Sequence, residues 1–461
     1  MNRTQRLPVV VAGGAAVAAL ALAACAPGSP GSPGGGGGAA TSASTERAVK
    51  TDAAQLGDVT LTVWDQEVRG GGNAQLTKNI ASFQAKYPNI KIKRVSRSFD
   101  DLSKTLRLAL SGNDAPDIVQ ANNTRSQMGQ FVKAGQLIPL DPWMKAYGWD
   151  KRYSQSLRSV VSYSPDAKTF GSGNLYGLPQ VGEVVGVYVN TDKLAKAGVK
   201  QPSDWAGFES SLATLKSKGE VPLMLGNLDK WPAVHVLGVV QGQYVKADEI
   251  RKLGFGNAGA SWTSDGNKQA VGKLVDWVDK GYVNQGFNGQ GYDPAWQAFT
   301  KGQGAYLIAG TWLQADISKA MGAKVAFMLP PPAQAGGTTY TTGASGQPFA
   351  ITNKAENPDA AAAFINHITT PEAMKVIAET ENLPVVDTAQ QKAPNALGQQ
   401  VFEAFGTTTK NDALLPYLDW ATPTMSDTIG AALQDLLAKK ATPDQTLEKL
   451  EKDYSDFTSK G

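Results

Sequence analysis

Cysteine is almost missing from this chain. Its one thiol, Cys25, stands near the N-terminus, so no intramolecular disulfide can form and the fold must rest on its core. Histidine is nearly as scarce. His235 and His367 lie far apart with no body cysteine beside them, which argues against a transition-metal site; no metal or other cofactor is expected. Neither sign of charge dominates, with 44 Lys and Arg against 41 Asp and Glu, and so even a balance offers nucleic acid nothing to bind. Catalytic signatures are lacking too: there is no P-loop, no His-Glu-x-x-His helix and no nucleophile-elbow serine. Gly254-Phe-Gly256-Asn-Ala-Gly259 has the spacing of a dinucleotide-binding turn, but no strand precedes it and Ala260-Ser261-Trp262-Thr263 does not open a helix. Among 49 glycines it is a chance match. The chain is not expected to be an enzyme. A glycosidase stays open as the less favoured alternative, because any chain with 41 acids has candidate carboxylate pairs and only their separation in space decides.

Apolar residues run together just before that lone cysteine. Arg3 and Arg6 precede an apolar and small-residue run, Val9 to Leu22, of signal-peptide length and short for a membrane span. No acidic residue comes before Glu46. Leu22-Ala23-Ala24-Cys25 resembles the lipobox of bacterial lipoproteins. The resemblance implies that residues 1–24 are a signal peptide and that Cys25 is acylated, with palmitate among its lipids, anchoring the protein to the outer face of the cell membrane. The other reading, a buried free thiol, finds no support in the Ala, Gly, Ser and Pro around it. From Ala26 to about Thr51 the composition is that of a flexible tether, so residues 25–55 read as a lipid-anchored linker. Cleavage would remove Arg3 and Arg6 and take the formal charge from +3 to +1. The body from Leu56 onward runs to about 400 residues, more than one core usually serves, which favours two domains.

Strand and helix patterns alternate along that body. Val59 to Trp64 is β-rich and alternating; Leu76, Ile80, Phe83 and Tyr87 then fall at helical spacing, and Pro88-Asn89 stops the helix before Ile90 to Lys93 returns to period two. Leu102, Leu106 and Leu110 mark a second helix ending near Gly112, and Asp117-Ile118-Val119 begins a third strand. This β-α-β-α-β order argues for mostly parallel sheets with helices on their faces. Later strands are expected at Val184 to Val189, Ala305 to Ala309, Val325 to Leu329 and Pro348 to Ile351, with helices at Ala360 to Ile368 and Thr446 to Phe457. His367, in the first of these helices, reads as structural.

Aromatic residues sit beside polar ones in loop-like positions: Trp64-Asp65-Gln66-Glu67, Asn227-Leu-Asp229-Lys230-Trp231-Pro232, Gly310-Thr311-Trp312 and Asp419-Trp420. A sugar ring has one apolar face and a belt of hydroxyls, so an indole against the face with carboxylates and amides on the belt is what binding it requires. Of the ten tryptophans, well over half are expected to be structural.

The ordered landmarks resemble the extracellular solute-binding proteins of the maltose-binding-protein type (family 1), which feed sugars to ABC importers. They are Val63-Trp64-Asp65, Phe83-Gln-Ala-Lys-Tyr87-Pro88-Asn-Ile-Lys91-Ile, Leu108 to Ile118, Gly135 to Asp141, Leu175-Tyr176-Gly177-Leu178-Pro179 with Val187-Tyr188-Val189-Asn190, Phe299 to Ala305, and Gly310-Thr311-Trp312. The resemblance implies an α/β, two-lobed, type II periplasmic-binding-protein-like fold. Each lobe would be a mostly parallel sheet flanked by helices, and the hinge would have several crossings, near Pro179 to Gly182, Gly343 to Gly346 and Leu383 to Asp387. The lobes would take residues 56–180 with 346–386, and 181–345 with 387–461. By position, the resemblance makes Glu183 a ligand-contacting glutamate and Trp312 a tryptophan stacked on sugar. It also points to Trp64, Asp65 and Glu67 after the first strand, Asn122 and Asn123 after the third, Asn227, Asp229 and Trp231 in one cleft loop, Asp419 and Trp420 in another, and Gly343 and Ser345 where backbone approaches ligand. Turn formation or packing is the competing role at each. The expected partners are an oligosaccharide of two or three units and the permease subunits of an ABC transporter, with the receptor itself a monomer. A sensing or adhesion lipoprotein without a permease, or a binder of a non-sugar solute, are the alternatives.

Overall fold

The structure, a computed structural model, describes residues 48–459. Cys25 and the expected leader lie outside them, as does most of the tether. Strand β1 (Val59–Asp65) turns Val59, Leu61, Val63 and Asp65 to one buried face, as its alternation requires. The helix Gly70–Lys86 buries Leu76, Ile80 and Phe83, and β2 (Ile90–Ser96) then lies parallel to β1. The helix Phe99–Ser111 begins where the Ser98 side chain accepts from the Asp101 amide. It packs Leu102, Leu106 and Leu110 inward, each worth about 1.5–3 kcal/mol of apolar burial. Strand β3 (Ile118–Gln120) pairs in parallel with the other edge of β1. A hairpin of β4 (Ser162–Tyr163) and β5 (Asn174–Leu175) follows.

Beyond the hairpin the chain builds a second sheet. It contains β6 (Gly182–Asn190), β7 (Leu223–Met224), β8 (Tyr306–Gly310), β9 (Val325–Met328) and β10 (Thr341–Ser345). Strand β11 (Phe349–Ile351) returns to the first sheet, against β3, and β12 (Leu414–Leu415) goes back to the second. The orders are β11-β3-β1-β2 and β12-β10-β6-β8-β7, with β9 also paired to β6. The first sheet is mostly parallel, as its βα order implies. The second is mixed, against expectation: β6 runs antiparallel to β8, β9 and β10. The reason lies in the connection. β6 carries the chain away from the first lobe and its neighbour β10 brings it back, so the two must point opposite ways.

The passing segments are bonded to one another. Leu178 and Phe349 exchange both backbone hydrogen bonds at 3.0 Å, Gly346 N–H donates to Val181 C=O at 2.9 Å, and Gly182 N–H donates to Leu383 C=O at 2.8 Å. Gly343 is glycine for a steric reason, since a Cβ there would stand 2.5 Å from the Glu183 carbonyl oxygen. Helix Pro358–His367 packs on β1 and β11 of the first lobe, where His367 Nε2 and Ser82 Oγ lie 2.8 Å apart and the imidazole meets Phe83 edge-on. Helix Ala396–Lys410 packs on β9 and β6 of the second. Trp143, Trp149, Trp262 and Trp277 are wholly buried in the core.

Candidate functional site

Parallel strands leave their ligand-facing loops at the carboxyl ends, and a cavity opens there. Glu67 and Arg69 come from the loop after β1, Asn122 and Asn123 from the loop after β3, and Phe99 from the start of its helix. The crossing segments supply Glu183, Ser345, Gln347 and Asn382. The second lobe supplies Trp231, His235, Thr311, Trp312, Tyr417, Asp419 and Trp420. The cavity volume is about 140 Å³, roughly ten times what one water needs.

Its wall is aromatic. Trp231 opens the helix Trp231–Tyr244 with Pro232 behind it, a residue suited to a first helical turn. One turn on, His235 lies edge-on to Trp231 at 5.4 Å between centroids and 5.3 Å from Trp312. Tyr417 continues the wall, 5.2 Å from both His235 and Trp420. Trp312 follows β8 directly; its indole N–H donates to Tyr292 Oη at 2.7 Å, and its ring covers Gly310 so closely that a Cβ there would be 1.9 Å from it. Phe99, from the first lobe, meets Trp231 edge-on at 5.8 Å.

Polar groups face this wall. Tyr417 O–H donates to Glu183 Oε2 at 3.1 Å, and Gln120 Nε2 donates to Glu67 Oε1 at 2.9 Å. Enclosure by protein pushes the Glu183 carboxyl up to about 8, and the nearby Glu67 charge adds to the effect. Enclosure also raises Glu67, and takes Asp419 up to about 6. The same desolvation lowers His235 to about 3, leaving it neutral near pH 7. Arg69 reaches across to the second lobe, where it donates to Asp293 at 2.8 Å and lies 5.8 Å over the Tyr292 ring. Gln75, wholly buried on the cavity wall, has no protein partner for either amide atom among the described residues; Ser345 Oγ and His235 Nδ1 are in the same position.

Nine of the residues predicted for the site line the cavity: Glu67, Asn122, Asn123, Glu183, Trp231, Trp312, Ser345, Asp419 and Trp420. Five stand behind it. Asp65 is buried, takes two hydrogen bonds from Arg94 at 2.8 Å and accepts from the Glu67 amide at 2.9 Å, so it shapes the turn that presents Glu67. Trp64 lies under the Arg97 guanidinium at 4.2 Å. Asn227 accepts from the Ala233 amide at 3.1 Å and Asp229 from the Tyr292 amide at 2.8 Å, which together hold the loop before Trp231. Gly343 lies in β10 opposite Val184. Even within the lining, the Asn123 amide is occupied, donating to Val160 C=O at 2.8 Å. Arg69, Gln75, Phe99, His235, Gln347, Asn382 and Tyr417 escaped the sequence reading. Of these, only His235 carried a signal, four residues after Trp231 and so on the same helix face.

A cavity walled by indoles and carboxyls, set between two α/β lobes that three bonded passages join, defines a two-lobed solute receptor of the periplasmic-binding type. The chain belongs to the bacterial extracellular solute-binding protein family, whose sequence profile matches residues 69–375, and its work therefore lies outside the cytoplasm. It is similar to a multiple sugar-binding protein of Streptococcus mutans, 23% identical over 348 residues, which cover 75% of this chain and 80% of that one. An uncharacterized ABC transporter extracellular-binding protein of Pyrococcus horikoshii is 27% identical over 315 residues, 66% of each chain. Among solved structures, a chitin oligosaccharide binding protein superposes with a TM-score of 0.73 at 23% identity, over 87% of this chain and 99% of that one. Among the described residues no helix is long and apolar enough to cross a membrane.

Proposed function

We propose that this protein captures an oligosaccharide of two or three units between its lobes and delivers it, unchanged, to the permease of an ABC importer. The observation that carries this is the cavity itself: indoles together with carboxyl and amide groups line one space, the pairing that a sugar ring's apolar face and hydroxyl belt demand. The names borne by the relatives from S. mutans and by the chitin oligosaccharide receptor support it. In this reading residues 1–24 are a signal peptide, Cys25 carries the lipid anchor, and 25–55 are its tether. One lobe takes residues 56–180 with 346–386, the other 181–345 with 387–461, and the receptor acts as a monomer.

Thermal unfolding of the purified protein against mono-, di- and trisaccharides, amino acids and polyamines tests the ligand class. A ligand at a hundred times its Kd adds about 2.7 kcal/mol to stability, so a shift confined to one linkage class of sugar is expected, with the sugar recovered intact. No shift with any sugar, or a cleaved sugar, sinks the transport reading. The anchor has its own test: the protein is expected in the membrane fraction, and its Cys25→Ser variant in the soluble one.

A further inference from the structure

Among the described residues four charged side chains line the cavity, and three are acidic: Glu67, Glu183 and Asp419 against Arg69. Arg69 is committed already, since it donates to Asp293 at 2.8 Å. His235 does not redress the balance, because its buried ring stays neutral. Glu67 and Glu183 lie close enough for the charge of one to oppose the charge of the other. Each receives one hydrogen bond from a protein side chain, from Gln120 and from Tyr417, whereas an ionised carboxylate accepts up to about four. Near pH 7 Glu183 therefore keeps its proton in the free protein, and only a cation brought beside it, not a neutral sugar, would let it ionise.

A second observation points the same way. Gln75 and Ser345 are buried on the lining with polar atoms that have no protein partner among the described residues, so the occupant must bring hydroxyl-type donors and acceptors as well as charge. The indoles of Trp231 and Trp312 and the phenol of Tyr417 line the same cavity, and aromatic rings of this kind hold a sugar ring and also attract a cation. On these grounds we propose that the ligand is an amino sugar, a glycan with a basic nitrogen whose ammonium is taken up by Glu67 and Glu183. This deepens the sugar-receptor reading and rests on it.

The test is calorimetric titration of the full-length protein with sets matched at one position. Glucose, glucosamine and N-acetylglucosamine form one set, and galactose with galactosamine another. The third is the β-1,4 glucosamine disaccharide with cellobiose and the diacetylated disaccharide. At pH 7 at least one amine is expected to bind tenfold or more tighter than its hydroxyl parent and its acetylated form. That advantage should fall below threefold in Glu183→Gln and in Glu67→Gln. It should also shrink as pH falls from 7 to 5, because protons then compete more strongly with the ammonium for the raised Glu183 carboxyl; if either variant fails to fold, the other and the pH series decide. Neutral sugars binding as tightly as the amines, or more tightly, overturn the inference and leave the sugar reading standing. If neither kind binds while other sugars or polyamines do, the inference also falls; if no sugar at all binds, both fall.

Discussion

Trp312→Ala is expected to weaken sugar binding about 30-fold or more, because a ring that closes a cavity on one side is the kind of anchor whose truncation costs about 2 kcal/mol. The loss comes from the face, not the N–H. Trp312→Phe keeps a ring over Gly310 and gives up only the bond to Tyr292 Oη, so it should retain most of the affinity. Calorimetry of the two variants against the best sugar checks this, with melting temperatures measured in parallel. Equal losses in both would show that the indole N–H, and hence the position of Tyr292, matters more than stacking.

Above about pH 6.5 the ligand-free protein should lose stability as pH rises. Unfolded, Glu183 gives up its proton near the ordinary 4.5; folded, it keeps the proton until about 8. The native state thus holds more protons across that window, so this contribution is fully present below about 4.5 and declines until pH passes about 8. The slope is about 1.4 kcal/mol per pH unit, or about 2 kcal/mol between pH 6.5 and 8. Below pH 6.5 Asp419, raised to about 6, adds to the decline, while His235, lowered to about 3, works against it, so the range above pH 6.5 isolates Glu183. Urea unfolding at several pH values reads it directly, and Glu183→Gln should flatten the upper part of the curve. A wild-type protein equally stable at pH 6.5 and pH 8 would mean that the carboxyl is better solvated than its enclosure implies.

Much of the fold is legible because its signals are local. The alternation in Val59–Asp65 and the Leu102, Leu106 and Leu110 stripe each need only a few neighbouring residues, and the elements appear where those patterns lie. Strand β10 was not legible. Its sequence, TTGAS, has no apolar alternation, and it is a strand because β6 and β12 flank it. Direction in the second sheet was equally hidden, since composition does not record which way a chain returns. At the site, residues that announce themselves by type and position, such as Trp231 and Trp312, do line the cavity. Asp65 and Asn227 share that polar, loop-edge character and instead brace the loops. Only the direction of the side chain separates the two groups. Tyr417 is missed although it stands two residues before Asp419-Trp420, because its partner Glu183 is 234 residues away and only the fold brings the two together.

The pairing of β11 with β3 also governs the order in which the molecule can assemble. Phe349 lies opposite Gln120, about 230 residues earlier in the chain, so the first sheet lacks its edge strand until most of the polypeptide has been made. Such distant contacts slow folding, because a long loop must close before they reward it. Under the proposed reading of residues 1–24 as a signal peptide, this delay is useful to a chain that must cross a membrane before it folds. The first sheet cannot close early in synthesis, and the chain stays threadable until β11 has been made.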